Sequence, residues 1–169
     1  MIKVEIRALK EDDAEVSWRW RNDPVIWELT GSRPDRYVTV DTEREWIRSV
    51  LARKNERRFA ICLPPEGKYI GNIQLTDITE SKAELHIFIG EQTFWGKGIA
   101  TSASKLILDY AFNDLKLKEV YLFVNKANLA AVKVYDRCGF HRESETSTEF
   151  MMVLRASDYS DNCAKTENF

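Results

Sequence analysis

The sequence predicts an α+β fold, a mixed and mostly antiparallel central sheet flanked by helices. Three observations predict it. Short runs with apolar residues at period two cluster between residues 58 and 90 with no helical pattern between them. Runs with helical spacing precede and follow that cluster. The composition, 44% hydrophobic and 31% charged in 169 residues, suits one globular domain with a single sizeable core.

Taken in order, Ile2, Val4 and Ile6 alternate with Lys3, Glu5 and Arg7 and read as a first strand. Lys10, Glu11, Asp12, Asp13 and Ala14 open a helix with acids in its first turn, where the dipole favours them. It carries Val16, Trp18 and Trp20 and ends by Pro24, which disfavours helix in the residue before it. Residues 25–40 read as an irregular or partly helical loop, aromatic enough to be a lid or a binding wall. Asp41 or Thr42 caps a helix over 42–54, with Thr42 and Glu45 at capping-box spacing. Residues 58–63 and 69–78 read as a hairpin around Pro64, Pro65, Glu66 and Gly67. A strand over 82–90 leads into a glycine turn, and a helix follows over 98–113. The run 118–124 is nearly all apolar, which predicts a strand buried on both faces. A short helix over 129–137 ends at Gly139, and 140–146 with 148–154 form a closing antiparallel pair. The domain spans 1–155, and 156–169 read as a flexible tail.

The bulk numbers exclude several classes. A net charge of −2 gives no basic footprint for nucleic acid. No apolar run reaches the ~20 residues of a membrane helix. The N-terminus is no signal peptide, so a cytoplasmic location is the default expectation. Cys62, Cys138 and Cys163 are far apart, and with only His86 and His141 beside them no metal site is expected.

The chemistry concentrates at Trp95, Gly96, Lys97, Gly98, Ile99, Ala100 and Thr101. A strand, a Gly-x-Gly turn and a helix start present unpaired amides to an anion, and the missing Cβ atoms let a phosphate come close. Downstream, Asn128, Ala131, Tyr135, Gly139 and Phe140 are spaced along a short helix. Tyr135 lies seven residues after Asn128, about two turns, so one face carries both.

These two runs, about 30 residues apart in the expected order, resemble the GNAT superfamily of acyl-CoA-dependent N-acyltransferases. The first is similar to its pyrophosphate loop, Gln/Arg-x-x-Gly-x-Gly/Ala, with Gly98 and Ala100 at the small positions. Trp95 departs from it, standing where Gln or Arg is usual. The second is similar to the family's Asn-x-x-Ala-x-x-x-Tyr-x-x-x-Gly-Phe run. The resemblance covers about 56–154, and the opening Trp18-Arg19-Trp20-Arg21-Asn22-Asp23-Pro24 resembles the ribosomal-protein, spermidine and amino-sugar acetyltransferase subgroup.

The resemblance implies a GNAT-like sheet and acetyl transfer from acetyl-CoA to a primary amine, with no metal. It implies that pantetheine pairs with the strand at Ile87, Phe88 and Ile89, whose amides polarise the thioester carbonyl. Tyr135 becomes the acid for the leaving thiolate, against the alternative of a core ring. Asn128 becomes a contact to pantetheine or only an N-cap. Lys97 and Arg137 add charge near phosphates or are surface cations. Glu84, which shares a face with His86 and Phe88, is the candidate base, and His86 is the second choice. Trp18, Arg21, Trp27, Tyr37 and Trp46, with Glu28, Asp35, Asp41, Glu43 and Glu45, mark a pocket for a small-molecule or peptide amine, or else core rings and solvated helix faces. The aromatic N-terminal half leaves room for a homodimer face. The rival readings are an idle acyl-CoA-binding regulatory domain and a nucleotide-binding protein. The second lacks a Gly-Lys-Ser/Thr ending, because Lys97 precedes Gly98.

Overall fold

A computed structural model describes residues 2–159. It holds seven strands and five α-helices: β1 (Glu5–Ala8), α1 (Ala14–Arg21), α2 (Pro24–Thr30), α3 (Val40–Leu51), β2 (Arg57–Leu63), β3 (Lys68–Thr76), β4 (Lys82–Ile89), α4 (Ile99–Asp109), β5 (Glu119–Asn125), α5 (Leu129–Arg137), β6 (His141–Glu145) and β7 (Glu149–Arg155). The strands make one sheet in the order β1-β2-β3-β4-β5-β7-β6. Every pairing is antiparallel except β4 with β5. The α+β expectation and the mixed, mostly antiparallel sheet are both present.

Two apolar layers cover the sheet. On one face Ile99, Ala103, Ile107 and Leu108 of α4, with Val132 and Tyr135 of α5, pack on Ile73, Leu85, Val120 and Leu122. On the other, Trp20 of α1 and Ile47 of α3 pack on Ala60, Cys62 and Tyr69, with Phe88 alongside. Full burial of each Ile or Leu side chain contributes about 1.5–3 kcal/mol, so the α4–α5 face supplies most of the core.

Some expectations gain detail and others need correction. The helical part of the partly helical stretch expected over 25–40 is α2, which starts where it does because Asp23 accepts the Val25 amide and Pro24 takes the first helical position. Gly31, left-handed at φ 67°, closes it. Helix α3 is capped by Thr39, whose hydroxyl accepts the Thr42 amide, so it starts earlier than Thr42. β5 is buried on one face only. Val120, Leu122 and Val124 point into the core, whereas Phe123 on the other face is 52% exposed. The second apolar layer reaches Phe88 of β4 and includes nothing from β5. The tail expected from 156 starts with ordered residues: 156–159 form a helical turn, and the Tyr159 ring packs 5.1 Å from Phe112. Residues 160–169, with Cys163, lie outside the described residues. Cys62 and Cys138 are free and buried. Among the described residues no helix is long and apolar enough to cross a membrane.

Candidate active site

The one parallel pairing creates the site. β4 meets β5 only at Lys82, Ala83 and Glu84, against Glu119, Val120 and Tyr121. Beyond that point β4 stays with β3 as far as Ile89 opposite Gly71, while β5 stays with β7 as far as Asn125 opposite Glu149. The two strands therefore part, and a cleft opens in the middle of the sheet.

The register says which groups line it. The Gly90 amide bonds the Ile70 carbonyl at 2.8 Å, so Asn72 and Phe88 are the next hydrogen-bonded pair, and Gly71 with Ile89 is not one. Ile87 and Ile89 thus turn their N–H and C=O groups toward the cleft. The Phe88 amide faces Asn72 of β3 instead. Of the three residues expected to offer amides there, the geometry leaves Ile87 and Ile89.

The glycine turn stands at the open end. Gly96 and Gly98 have φ of 72° and 78°, a left-handed backbone that other residues rarely adopt. Gly98 is the N-cap of α4, and no side chain caps the helix. The first amides of α4 are thus open to an anion, with the helix dipole behind them. Apart from the adjoining backbone, no heavy atom lies within 4 Å of where a Cβ would stand on either glycine. The Thr101 hydroxyl in the first turn is buried with no partner. Lys97 lies 5.3 Å from the Phe94 ring centre, and Lys68 lies 5.1 Å from it. A polyanion fits this end of the cleft.

Trp95, the departure from the family pattern, has a definite place. Its indole N–H donates to the Ile89 carbonyl at 2.8 Å.

Tyr135 stands on the α4–α5 face, 7% exposed, its ring 5.9 Å from Phe140. Burial pushes its phenol up to about 12. No hydrogen bond to its hydroxyl is found among the described residues. Asn128 is the N-cap of α5 and accepts the Ala131 amide at 3.1 Å. Its side-chain NH2 group takes no part in that cap. Arg137, in the last turn of the same helix, makes no ion pair among the described residues.

Glu84 lies on the opposite face, at the point where β4 and β5 part. Its carboxylate is 3.3 Å from His86 Nε2, and His86 also meets the Thr76 hydroxyl at 3.2 Å. Burial raises the Glu84 carboxyl above its ordinary range; His86 opposes this and Asp77 adds to it. Tyr135 thus stands on one face of the sheet and Glu84 on the other.

The N-terminal helices wall that second side. Gly90 is pressed against Trp20, where a Cβ would fall 2.1 Å from the ring. The Trp20 indole donates to Glu91 at 3.2 Å, and Gln92 donates to Asp23 at 2.8 Å. Asn22 holds the loop before α3 by exchanging two hydrogen bonds with the Val38 backbone. An open hollow of about 290 Å³ lies here, between Arg19, Asp23 and Thr93. Sequence reasoning missed these contacts, which join residues up to 71 apart. Of the acids expected to face an amine, Asp41 pairs with Arg44, and Glu43 turns inward to Ser17 at 2.7 Å. Among the described residues no three His, Cys, Asp or Glu side chains converge as a metal ion requires.

Comparison with known proteins meets this geometry. The acetyltransferase (GNAT) domain family matches residues 3–141. The spermidine N(1)-acetyltransferase of Escherichia coli K12 is 38% identical over 152 residues, 88% of this chain and 78% of its own length. A probable N-acetyltransferase, YjcK of Bacillus subtilis, is 31% identical over 148 residues, 83% and 81% of the two chains. The crystal structure of spermidine N-acetyltransferase from Vibrio cholerae with CoA and spermine superposes with a TM-score of 0.82 at 27% identity, over 93% of this chain and 98% of that one.

Proposed function

The chain belongs to the GNAT acetyltransferase family and is an acetyl-CoA-dependent N-acetyltransferase; from that premise we propose that its acceptor is the primary amine of a small molecule and that Tyr135 and Glu84 serve the transfer from opposite faces of the sheet. The observation that supports this reading is the parting of β4 and β5 beyond Glu84, with Tyr135 on one face of the sheet and Glu84 on the other. Acetyl-CoA brings the activated acyl group, a thioester.

The residues present suit that co-substrate. The open amides of α4 after Gly98 suit its pyrophosphate, and Ile87 and Ile89 suit a backbone-like pantetheine laid along β4. The Ile87 N–H, turned away from β3, suits stabilising negative charge on a carbonyl oxygen in the cleft. Glu84 takes a proton from the arriving ammonium, directly or through water, and burial makes its carboxylate a stronger base than an ordinary one. Tyr135 gives a proton to the departing sulfur. Burial raises the phenol further, so it stays protonated until then.

The small-molecule acceptor is supported by the relative named for spermidine. The hollow beside the cleft bears both a cation and acids, Arg19 beside Asp23 and Glu91, so charge alone singles out no polyamine. The test is a CoA-release screen with spermidine, an amino sugar and a peptide with a free N-terminus. Turnover with either small amine and none with the peptide is expected. Turnover with the peptide alone would reject the reading.

A further inference from the structure

We infer that the Trp95 indole is a latch on the Ile89 carbonyl, which the pantetheine of acetyl-CoA has to displace before it can lie along the full open edge of β4. The inference rests on the cofactor reading above and adds to it a residue with no role so far.

Three observations carry it. The register of β3 with β4 turns the Ile89 N–H and C=O away from β3 and into the cleft. β5 does not reach that far, since its pairing with β4 stops at Glu84. The acceptor of the Trp95 indole is that same carbonyl, at 2.8 Å. One of the backbone groups that a strand-like ligand would pair with is thus already occupied by the chain's own side chain.

The arrangement has a physical reason. Beyond Glu84 the inner edge of β4 is an unpaired strand edge, and such an edge invites pairing with another chain. An indole bound across it covers that edge while the cleft is free. Trp95 itself is 37% exposed, so its ring can swing outward without breaking a packed core. It stands next to Gly96, whose φ of 72° and open surroundings give the turn freedom to move with it.

The latch opposes binding by the net worth of one hydrogen bond. Removing the N–H while keeping a ring, as in W95F, should tighten CoA binding about five-fold. The experiment has two arms, both with CoA itself as the probe. Calorimetric titration compares the wild-type protein with W95F, and tighter binding by W95F is expected. In the wild-type protein the indole proton of Trp95 is followed by ¹H–¹⁵N spectroscopy and assigned by its loss in W95F. With CoA at saturation that proton should move upfield and exchange faster with water, as its hydrogen bond to Ile89 breaks. This second arm reads the wild-type chain and stays decisive even where W95F folds poorly. Equal or weaker binding by W95F, or an indole resonance that CoA leaves unmoved, would overturn the latch. Failure of the wild-type protein to bind CoA at all would overturn the cofactor reading and the latch together.

Discussion

The two sides of the central cleft are built by different means. On the α4–α5 side the groups we assign to the co-substrate are mostly backbone: the open amides beyond Gly98 and the edge of β4 at Ile87 and Ile89. Tyr135 adds one side chain, held in the larger core. On the α1–α3 side the parts are side chains that hold one another, such as Trp20 with Glu91, Asn22 with Val38, and Glu43 with Ser17. A surface made of backbone can bind one ligand across a whole family, because it tolerates almost any side chain. A surface made of paired side chains changes with each substitution, and that is where acceptor specificity can diverge.

The sharpest break of this comparison is Tyr135→Phe. It removes the hydroxyl of the one side chain on that side to which we assign a proton transfer. Turnover should fall by ~10²-fold or more while CoA affinity stays within a few-fold, read by steady-state kinetics beside calorimetry. Unchanged turnover would return Tyr135 to the core. Next in size is Glu84→Gln on the opposite side, with kcat/KM expected to fall about ten-fold at neutral pH. The carboxylate has to be ionised to act, and burial raises its pKa. The wild-type rate should therefore climb with pH along an acid limb lying above the ordinary carboxyl range. That limb should be absent in the variant. A pH profile that keeps the same limb after substitution would pass the role to His86 or to water.

Gly98→Ala tests the backbone side with no change of charge. The new side chain has open space, so the whole effect comes from holding φ at 78°. Left-handed backbone costs a non-glycine residue roughly 1–2 kcal/mol, and the turn relaxes to avoid it. KM for acetyl-CoA should rise about five-fold with kcat little changed. An unchanged KM would mean that the amides of this turn do not hold the phosphates.

The same contrast explains what the sequence made legible. Gly96, Gly98, Asn128 and Tyr135 sit at short fixed spacings, because one turn and one helix place them, so local pattern sufficed. The hairpin of β2 and β3 was legible for the same reason. The N-terminal half was not. Pro24 both ends α1 and begins α2, and only the Asp23 cap separates the two roles. Gly90 reads as an ordinary strand end until Trp20, 70 positions earlier, is seen against it. Apolar content made β5 look buried on both faces, yet burial depends on whether a helix lies above, and none of its residues joins the second apolar layer. The Phe88 amide failed as a cleft group for a related reason, since alternation along β4 is set by pairing with β3 and not by composition.

The smallest effect is at Glu43, and it separates support of the acceptor wall from acceptor binding. Its carboxylate is 2% exposed, bonded to Ser17 through one oxygen and 3.8 Å from Arg21 Nε through the other. That second oxygen and Arg21 Nε have no hydrogen-bond partner. Burial raises the carboxyl above its ordinary value, more than Ser17 and Arg21 lower it. Between the ordinary carboxyl pKa and this raised one, the folded chain holds a proton that the unfolded chain has released. Stability contributed by Glu43 is therefore full below the ordinary value and is lost as pH rises through the folded value, by at most about 1.4 kcal/mol per pH unit in that window. Glu43→Gln keeps the oxygen that Ser17 bonds and removes the titration. The exposed carboxylates that Arg48, Arg155 and Lys126 pull down (Glu11, Glu143 and Glu145) are common to both proteins and cancel in the difference. Calorimetric melting from pH 7.5 to 4.5 should then show the wild type gaining on the variant by a few degrees as the solution is acidified, about 2–4 °C for each kcal/mol in a chain of this size. Acceptor KM should hardly change, because the carboxylate faces the interior between α1 and α3. Parallel melting curves with a raised acceptor KM would place Glu43 in the acceptor site instead of beneath it.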